Sequence, residues 1–271
     1  MNRSAIIRGL AAGIAAACMV ALAGIGSLLS VALFYAATLP LFIVGLGWGL
    51  HASIASIVSG ALTTFMMVGP TGGAMFVVAF AIPSGWLCYL ALLYRPDEGD
   101  ENAAANYLNW YPVGRIVGWI AAIAAGLTLL GIFVFGGSPE GFSDFIRDSL
   151  GPMLMTMDEA GNPQPASAAE IDRLVEMMVS LIPVMLVASW MTVTSINLYG
   201  GAKIAFLSGR LLRPWPDLHQ IELPVRFAII PISAFLISFL NGWIGLAATV
   251  VLTAAIGAYV IQGLSILHDV T

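Results

Sequence analysis

"LPLFIVGLGWGLHASIASIVSGALTTFMMVG", Leu39–Gly69, decides the fold. It reads either as one tilted membrane helix or as two short ones broken at the glycines around Gly45, Gly47 and Gly49. A single helix with a cytoplasmic N-terminus would place Arg95, Arg115, Lys203, Arg210, Arg213 and Arg226 outside and leave only Arg3, Arg8, Arg147 and Arg173 inside. That distribution opposes the excess of Lys and Arg found in cytoplasmic loops. Two helices, Leu39–Leu50 and Ala52–Val68, meeting near His51, reverse every downstream side. Of the ten Lys and Arg residues, only Arg147 and Arg173 then remain outside. The charge rule therefore selects two helices and places both termini in the cytoplasm.

The choice carries a structural requirement. Leu39–Leu50 has about 12 residues, against the roughly 20 that a helix needs to cross the hydrocarbon core. A short or broken helix survives at that depth only when its backbone is buried in protein or faces a water-filled cavity, as in the binding sites of transporters. The segment is thus either part of a binding site or a glycine-rich packing turn.

The rest of the chain fits a membrane setting. Hydrophobic residues make up 59% of it and charged residues 9%, with a mean hydropathy of +0.94; an ordinary soluble domain has about 25% charged residues. Further spans are expected at Ala5–Phe34, Thr71–Tyr94, Pro112–Phe135, Leu181–Leu207, Phe227–Leu240 and Ile244–Leu267. The predicted fold is all-α, a polytopic transmembrane bundle of about eight spans, some short or broken. Residues 1–271 form a single integral membrane domain, with residues 137–180 as an extracytoplasmic insertion. The basic start resembles a signal peptide, but an apolar run of about 25 residues exceeds the usual 7–15 and should remain as a span. Cys18 and Cys88 both lie in spans and supply neither a disulfide framework nor paired metal-ligand spacing.

In the insertion, "FSDFIRDSL" places Phe142, Phe145, Ile146 and Leu150 on one helical face, which predicts an amphipathic surface helix. "DEAGNPQP" reads as a turn. Ser167 and Glu170 have capping-box spacing, so a helix should start near Ala168 and lead into the next span, with a kink at Pro183. Met153, Met155 and Met157 alternate, and Met177, Met178, Met185 and Met191 follow. Thioether sulfur suits Cu(I), yet flexible methionine also fills apolar gaps.

"RLLRPWPDLHQIELPVR", Arg210–Arg226, is expected on the cytoplasmic side. Arg210, Arg213 and Trp215 have the properties of an interfacial anchor, with Leu218, Ile221 and Leu223 dipping into the headgroup layer, or they dock a cytoplasmic partner. Lys203 should snorkel toward the same surface. Gly9, Gly13, Ala17 and Ala21 form a small-residue seam at four-residue spacing, which lets another helix approach closely.

Catalytic patterns do not emerge. "GGAKIAF" around Lys203 lacks the remaining elements of a phosphate-binding loop. The spans carry no paired acids and no His pair; His51 stands alone, so no ion relay is expected. The chain is expected not to be an enzyme and to need no cofactor or resident metal. No nucleic-acid partner is expected.

"LPLFIVGLGWGLHA", "NWYPVGRIVGW", "GRLLRPWPDL" with "ELPVR", and "QGLSILH" occur in an order that resembles the YybS-like family of bacterial multi-pass membrane proteins, catalogued as a domain of unknown function. The likeness covers nearly the whole chain, and family members continue past the position of Thr271, so a short or truncated member is expected. The family is grouped loosely with the S subunits of energy-coupling-factor transporters and with the cell-shape protein MreD. The resemblance implies a bacterial inner-membrane protein that binds a small uncharged or amphiphilic solute for uptake, energised by a separate membrane coupling subunit and ATPase. By it, Leu39–Gly69 would pack near the substrate cavity and the Gly9, Gly13, Ala17, Ala21 seam would meet the coupling subunit. An outward-opening cavity lined by Trp48, His51, Asn197 or Trp243 would favour this reading. A packed interior would favour a non-transporting scaffold of MreD type. Extracytoplasmic metal handling stands third.

Overall fold

The computed structural model describes residues 3–96, 108–150, 155–157, 163–165, 167–216 and 221–267. Among these, seven helical stretches are long and apolar enough to cross a membrane: Arg3–Ile25, Leu28–Trp48, Leu50–Val68, Pro70–Ala91, Val113–Gly136, Ala168–Leu207 and Gly242–Ser265. A shorter apolar stretch, Val225–Ile237, brings the apolar segments to the expected number. Two compact units emerge: Met1–Ile120 with Thr192–Pro224 and Val260–Thr271, and Ala121–Met191 with Val225–Tyr259.

The first unit begins with α1, Arg3–Ala21, extended by a 3-10 turn to Ile25. Here the structure corrects the sequence reading, in which one span ran from Ala5 to Phe34. Gly26 takes a left-handed φ of 71°, and Ser27 caps a new helix by accepting from the Ser30 amide at 3.1 Å. A left-handed glycine followed by a capping serine ends one helix and starts the next. That next helix, α2 (Leu28–Tyr35), turns at Ala36–Thr38 into α3 (Leu39–Trp48), and the two make one span together. The segment expected to be an undersized span is the second half of a full-length one, and Pro40 sits in its first turn, where a missing amide is harmless.

The Leu39–Gly69 stretch is broken, as the charge argument required. The break falls at Gly49 (φ 79°), two residues before His51, and α4 runs from Leu50 to Val68. Gly69 (φ 94°) makes the following turn. After it come α5 (Pro70–Phe76), a π-helical turn, and α6 (Ile82–Ala91). A two-stranded hairpin of β1 (Tyr94–Pro96) and β2 (Leu108–Trp110) leads into α7 (Val113–Gly136).

Packing of α1 on α4 explains the small-residue seam. A methyl group on Gly9 would collide with the Ala52 carbonyl oxygen, and one on Gly13 with Ser59 and the Ser56 carbonyl. Ala12, Ala16 and Ala17 are buried, while Ala21 is partly so. The facing side of α4 is equally slim, with Ser53, Ser56, Ser59, Gly60 and Thr64 buried, and Ser59 Oγ donates to the Leu10 carbonyl at 3.0 Å. Such close backbone approach is how helices adhere in lipid, where burying apolar surface offers little advantage. The seam is therefore filled by the chain's own α4.

In the second unit, α8 (Pro139–Leu150) is the amphipathic helix expected from the sequence, with Phe142 and Ile146 buried, Phe145 exposed and Leu150 between. Strands β3 (Met155–Met157) and β4 (Pro163–Pro165) pair antiparallel. Helix α9 starts at Ala168, as predicted, behind a complete capping box: Ser167 N and Oγ both donate to Glu170 Oε2, and Glu170 N donates back to Ser167 Oγ. Its 40 residues would extend about 60 Å, twice the hydrocarbon thickness, so its acidic first turns protrude beyond the hydrocarbon. Arg147 of α8 pairs with Asp172 there. Helices α10 (Ile229–Ile237) and α11 (Gly242–Leu267) complete the chain. Met153 and residues 158–162 of the expected turn lie outside the described residues.

Candidate functional site

One end of the first unit gathers its charge. Arg3, Arg8, Arg95, Arg115, Lys203, Arg210 and Arg213 belong to this unit, leaving Arg147, Arg173 and Arg226 of the ten to the other. Arg8 stands over the Trp48 ring at 4.9 Å, which joins the start of α1 to the end of α3. Arg115 lies 6.0 Å from the Tyr111 ring, and Trp119 Nε1 donates to the Tyr111 hydroxyl. Trp119 and Trp86 meet edge to face at 5.2 Å. Basic residues among Trp and Tyr mark the level of lipid headgroups.

The loop after α9 folds onto this end instead of lying free on a surface. Leu212 N donates to the Leu46 carbonyl in the last turn of α3 (3.2 Å), and Arg213 Nη1 donates to the carbonyl of Ala91, the final residue of α6 (3.0 Å). Carbonyls at helix C-termini have no partner within the helix and carry partial negative charge, so an amide and a guanidinium are fitting caps. The Arg213 guanidinium also lies 5.6 Å from the Trp110 ring. Burial pulls the Arg213 pKa below the ordinary arginine value, yet a guanidinium starts so high that it remains charged. Trp215 packs on Tyr199 and Phe206 of α9, with Lys203 Nζ 4.9 Å from its ring. Ile221 and Leu223 are buried, and Leu218 lies outside the described residues.

Beneath this loop is a cavity of about 440 Å³. Its walls are helical stripes: Val113, Ile116, Val117 and Ile120 of α7; Ser195, Leu198, Tyr199 and Ala202 of α9; Ile261, Leu264 and Ser265 of α11. Leu46 and Ala91 contribute the ends of α3 and α6, and Leu211, Arg213, Trp215, Pro216 and Ile221 form the roof. The α7 and α9 stripes recur at i, i+3, i+4 and i+7 and the α11 stripe at i, i+3 and i+4, the spacing of one helix face. The volume falls within the roughly 300–1,000 Å³ of small-molecule pockets. Two polar atoms of the lining, Ser195 Oγ and Arg213 Nε, are buried without a hydrogen-bond partner.

The residues expected to line a cavity sit elsewhere. Asn197 points away from it: its Nδ2 donates to the Tyr35 carbonyl (2.7 Å) and Thr38 Oγ1 (2.8 Å), which clamps the turn between α2 and α3. Trp48 is half-buried beneath Arg8, its Nε1 without a partner. His51 is exposed in the first turn of α4. Trp243 belongs to the second unit, where it meets Phe133 and lines a shallow cleft. Of the docking candidates, Arg210 is exposed with its Cβ near Gly47, while Arg213 and Trp215 roof the cavity. Of the methionines, Met177 and Met185 are exposed and Met191 is buried. Among the described residues no group of His, Cys, Asp or Glu is placed to hold a metal ion.

Large apolar side chains cover the outside, with Leu28 at 88% and Met66 at 84% exposure. A soluble protein would not leave so many uncovered. The protein is a polytopic helical membrane protein. It belongs to the family described as Predicted membrane protein (DUF2232), which matches residues 13–270, nearly the whole chain, and the YybS-like resemblance agrees with that assignment. No curated protein and no solved structure matches it.

Proposed function

We propose that this protein is a non-enzymatic membrane binding protein that takes a small amphiphilic molecule into the cavity lined by α7, α9 and α11, beneath Leu211, Arg213, Trp215, Pro216 and Ile221. The single observation that carries the reading is the cavity itself: an apolar space at headgroup level with one guanidinium, that of Arg213, in its roof. A packed bundle would favour the scaffold alternative of MreD type, and Ser195 and Ala202 keep this interior open where larger residues would close it. The basic end faces the cytoplasm of a bacterial inner membrane, because seven basic residues of one unit collect there. The entrance therefore lies at the cytoplasmic leaflet, and ligand enters from that side.

Uptake of the kind the S-subunit resemblance implies, energised by separate ATPase subunits, would need an outward-opening cavity; a cavity entered from the cytoplasmic leaflet supports binding without uptake. With Gly9 and Gly13 covered by α4, a coupling subunit would need a surface other than that seam.

The test fills the cavity. Wild-type chain purified in mild detergent should retain a small amphiphile detectable by native mass spectrometry. Ala202→Trp and Ile120→Trp should lose it while remaining folded by circular dichroism. Folded variants that keep the same adduct would reject the cavity as the site.

A further inference from the structure

We infer that the cavity's ligand is an anionic single-chain amphiphile, with its oxyanion head at Arg213 and its apolar chain running along the α7 and α11 stripes. This rests on the cavity being the binding site and adds the ligand's charge.

The first argument is an unmatched cation. Arg213 lines the cavity, and its guanidinium is committed only in part: Nη1 is held by the Ala91 carbonyl, and Nε is buried with no partner. A buried donor left unsatisfied costs free energy that an acceptor in the cavity would recover. Among the described residues, none that lines the cavity is acidic, and the ion pair is Arg147 with Asp172, in the other unit. Burial has already drawn the Arg213 pKa down through desolvation, and an anion beside it would oppose that effect.

A second cation strengthens the field at the mouth. Lys203 Nζ stands 4.9 Å from the ring of Trp215, itself a roof residue. A carboxylate or phosphate head would thus meet positive charge from the roof. Ser195 Oγ, also unpartnered, offers a second hydrogen bond on the α9 wall.

Below the roof the chemistry changes. Ile116, Ile120, Leu198, Ile261 and Leu264 present only hydrocarbon. A free inorganic anion would leave these walls unfilled, and a neutral amphiphile could accept the Arg213 Nε hydrogen bond but would leave the guanidinium charge uncompensated. One chain carrying one oxyanion satisfies both regions.

The experiment compares heads on a constant chain. The full-length protein is placed in nanodiscs of zwitterionic phosphatidylcholine, and a fluorescent dodecanoic acid probe is displaced by dodecyl phosphate, dodecanoate, dodecanol or inorganic phosphate. The two anionic amphiphiles should compete at least about tenfold better than dodecanol, the effect of one charge-assisted hydrogen bond, and inorganic phosphate should not compete. Dodecanol competing equally well would overturn the charge assignment while leaving the cavity reading standing; competition by inorganic phosphate alone would overturn the apolar half. Arg213→Gln should bring the anions to the level of dodecanol, and Arg213→Lys should keep most of the preference. If probe binding proves equal in wild type and in folded Ile120→Trp, the cavity reading fails as well.

Discussion

Arg213 Nη1 and the Ala91 carbonyl oxygen, 122 positions apart in sequence, are joined by a 3.0 Å hydrogen bond that seals the C-terminus of α6 with the loop after α9. The cap serves stability as well as any ligand. Arg213→Ala should destabilise the protein by about 1.5 kcal/mol, the lower end for a hydrogen bond involving a charged group because the side chain is partly solvated. Denaturation in mixed micelles measures it; a midpoint unchanged from wild type would show that the cap contributes nothing.

Asn197 holds the α2–α3 turn through two bonds, and its removal should be felt there first. Asn197→Leu leaves the buried Thr38 hydroxyl and the Tyr35 carbonyl without their donor. Such a loss costs about 1–3 kcal/mol. Hydrogen exchange should quicken at residues 35–42 more than in α4; uniform protection would contradict the clamp.

Glycines divide into two groups whose substitution should differ in sign. Gly13→Leu forces α1 away from α4, since even a methyl group there meets Ser59 and the Ser56 backbone, and overpacking of this kind costs about 1–3 kcal/mol or more. Gly126 has open space around its missing Cβ, so Gly126→Ala should be neutral or stabilising by up to about 1 kcal/mol through helix propensity. Comparing the folded yields and melting midpoints of the two variants checks the assignment. Equal outcomes would contradict the α1–α4 packing.

Much of this architecture was legible in the sequence. Charge sidedness demanded a break inside Leu39–Gly69, and the break exists at Gly49; the Ser167–Glu170 spacing set the start of α9 to the residue. The missed break at Gly26 had its own signal, a glycine followed by a serine three residues before Ser30, but continuous hydrophobicity on both sides concealed it. The cavity was not legible. In a soluble helix an apolar stripe stands out against polar neighbours, whereas in α7 and α11 every face is apolar, so Ile116, Ile120 and Leu264 look like any lipid-facing residue. Asn197, expected in a cavity lining, instead donates to the Tyr35 carbonyl and to Thr38.

By the charge rule, orientation should depend on the exposed Arg210 and on Arg213 in the cavity roof. Replacing both Arg210 and Arg213 with Glu should lower membrane accumulation or produce mixed orientation in C-terminal reporter fusions. An unchanged, single orientation would assign sidedness to the remaining basic residues.

The most direct test of the binding account is photo-crosslinking with a dodecanoic acid bearing a diazirine near its chain end, followed by peptide mapping. The account predicts label on the inward stripes, at Ile116, Ile120 or Leu198, removed by excess unlabelled dodecanoate. Label spread over outward residues such as Ile196 and Val260, which are 64% and 54% exposed, and indifferent to competitor, would contradict it.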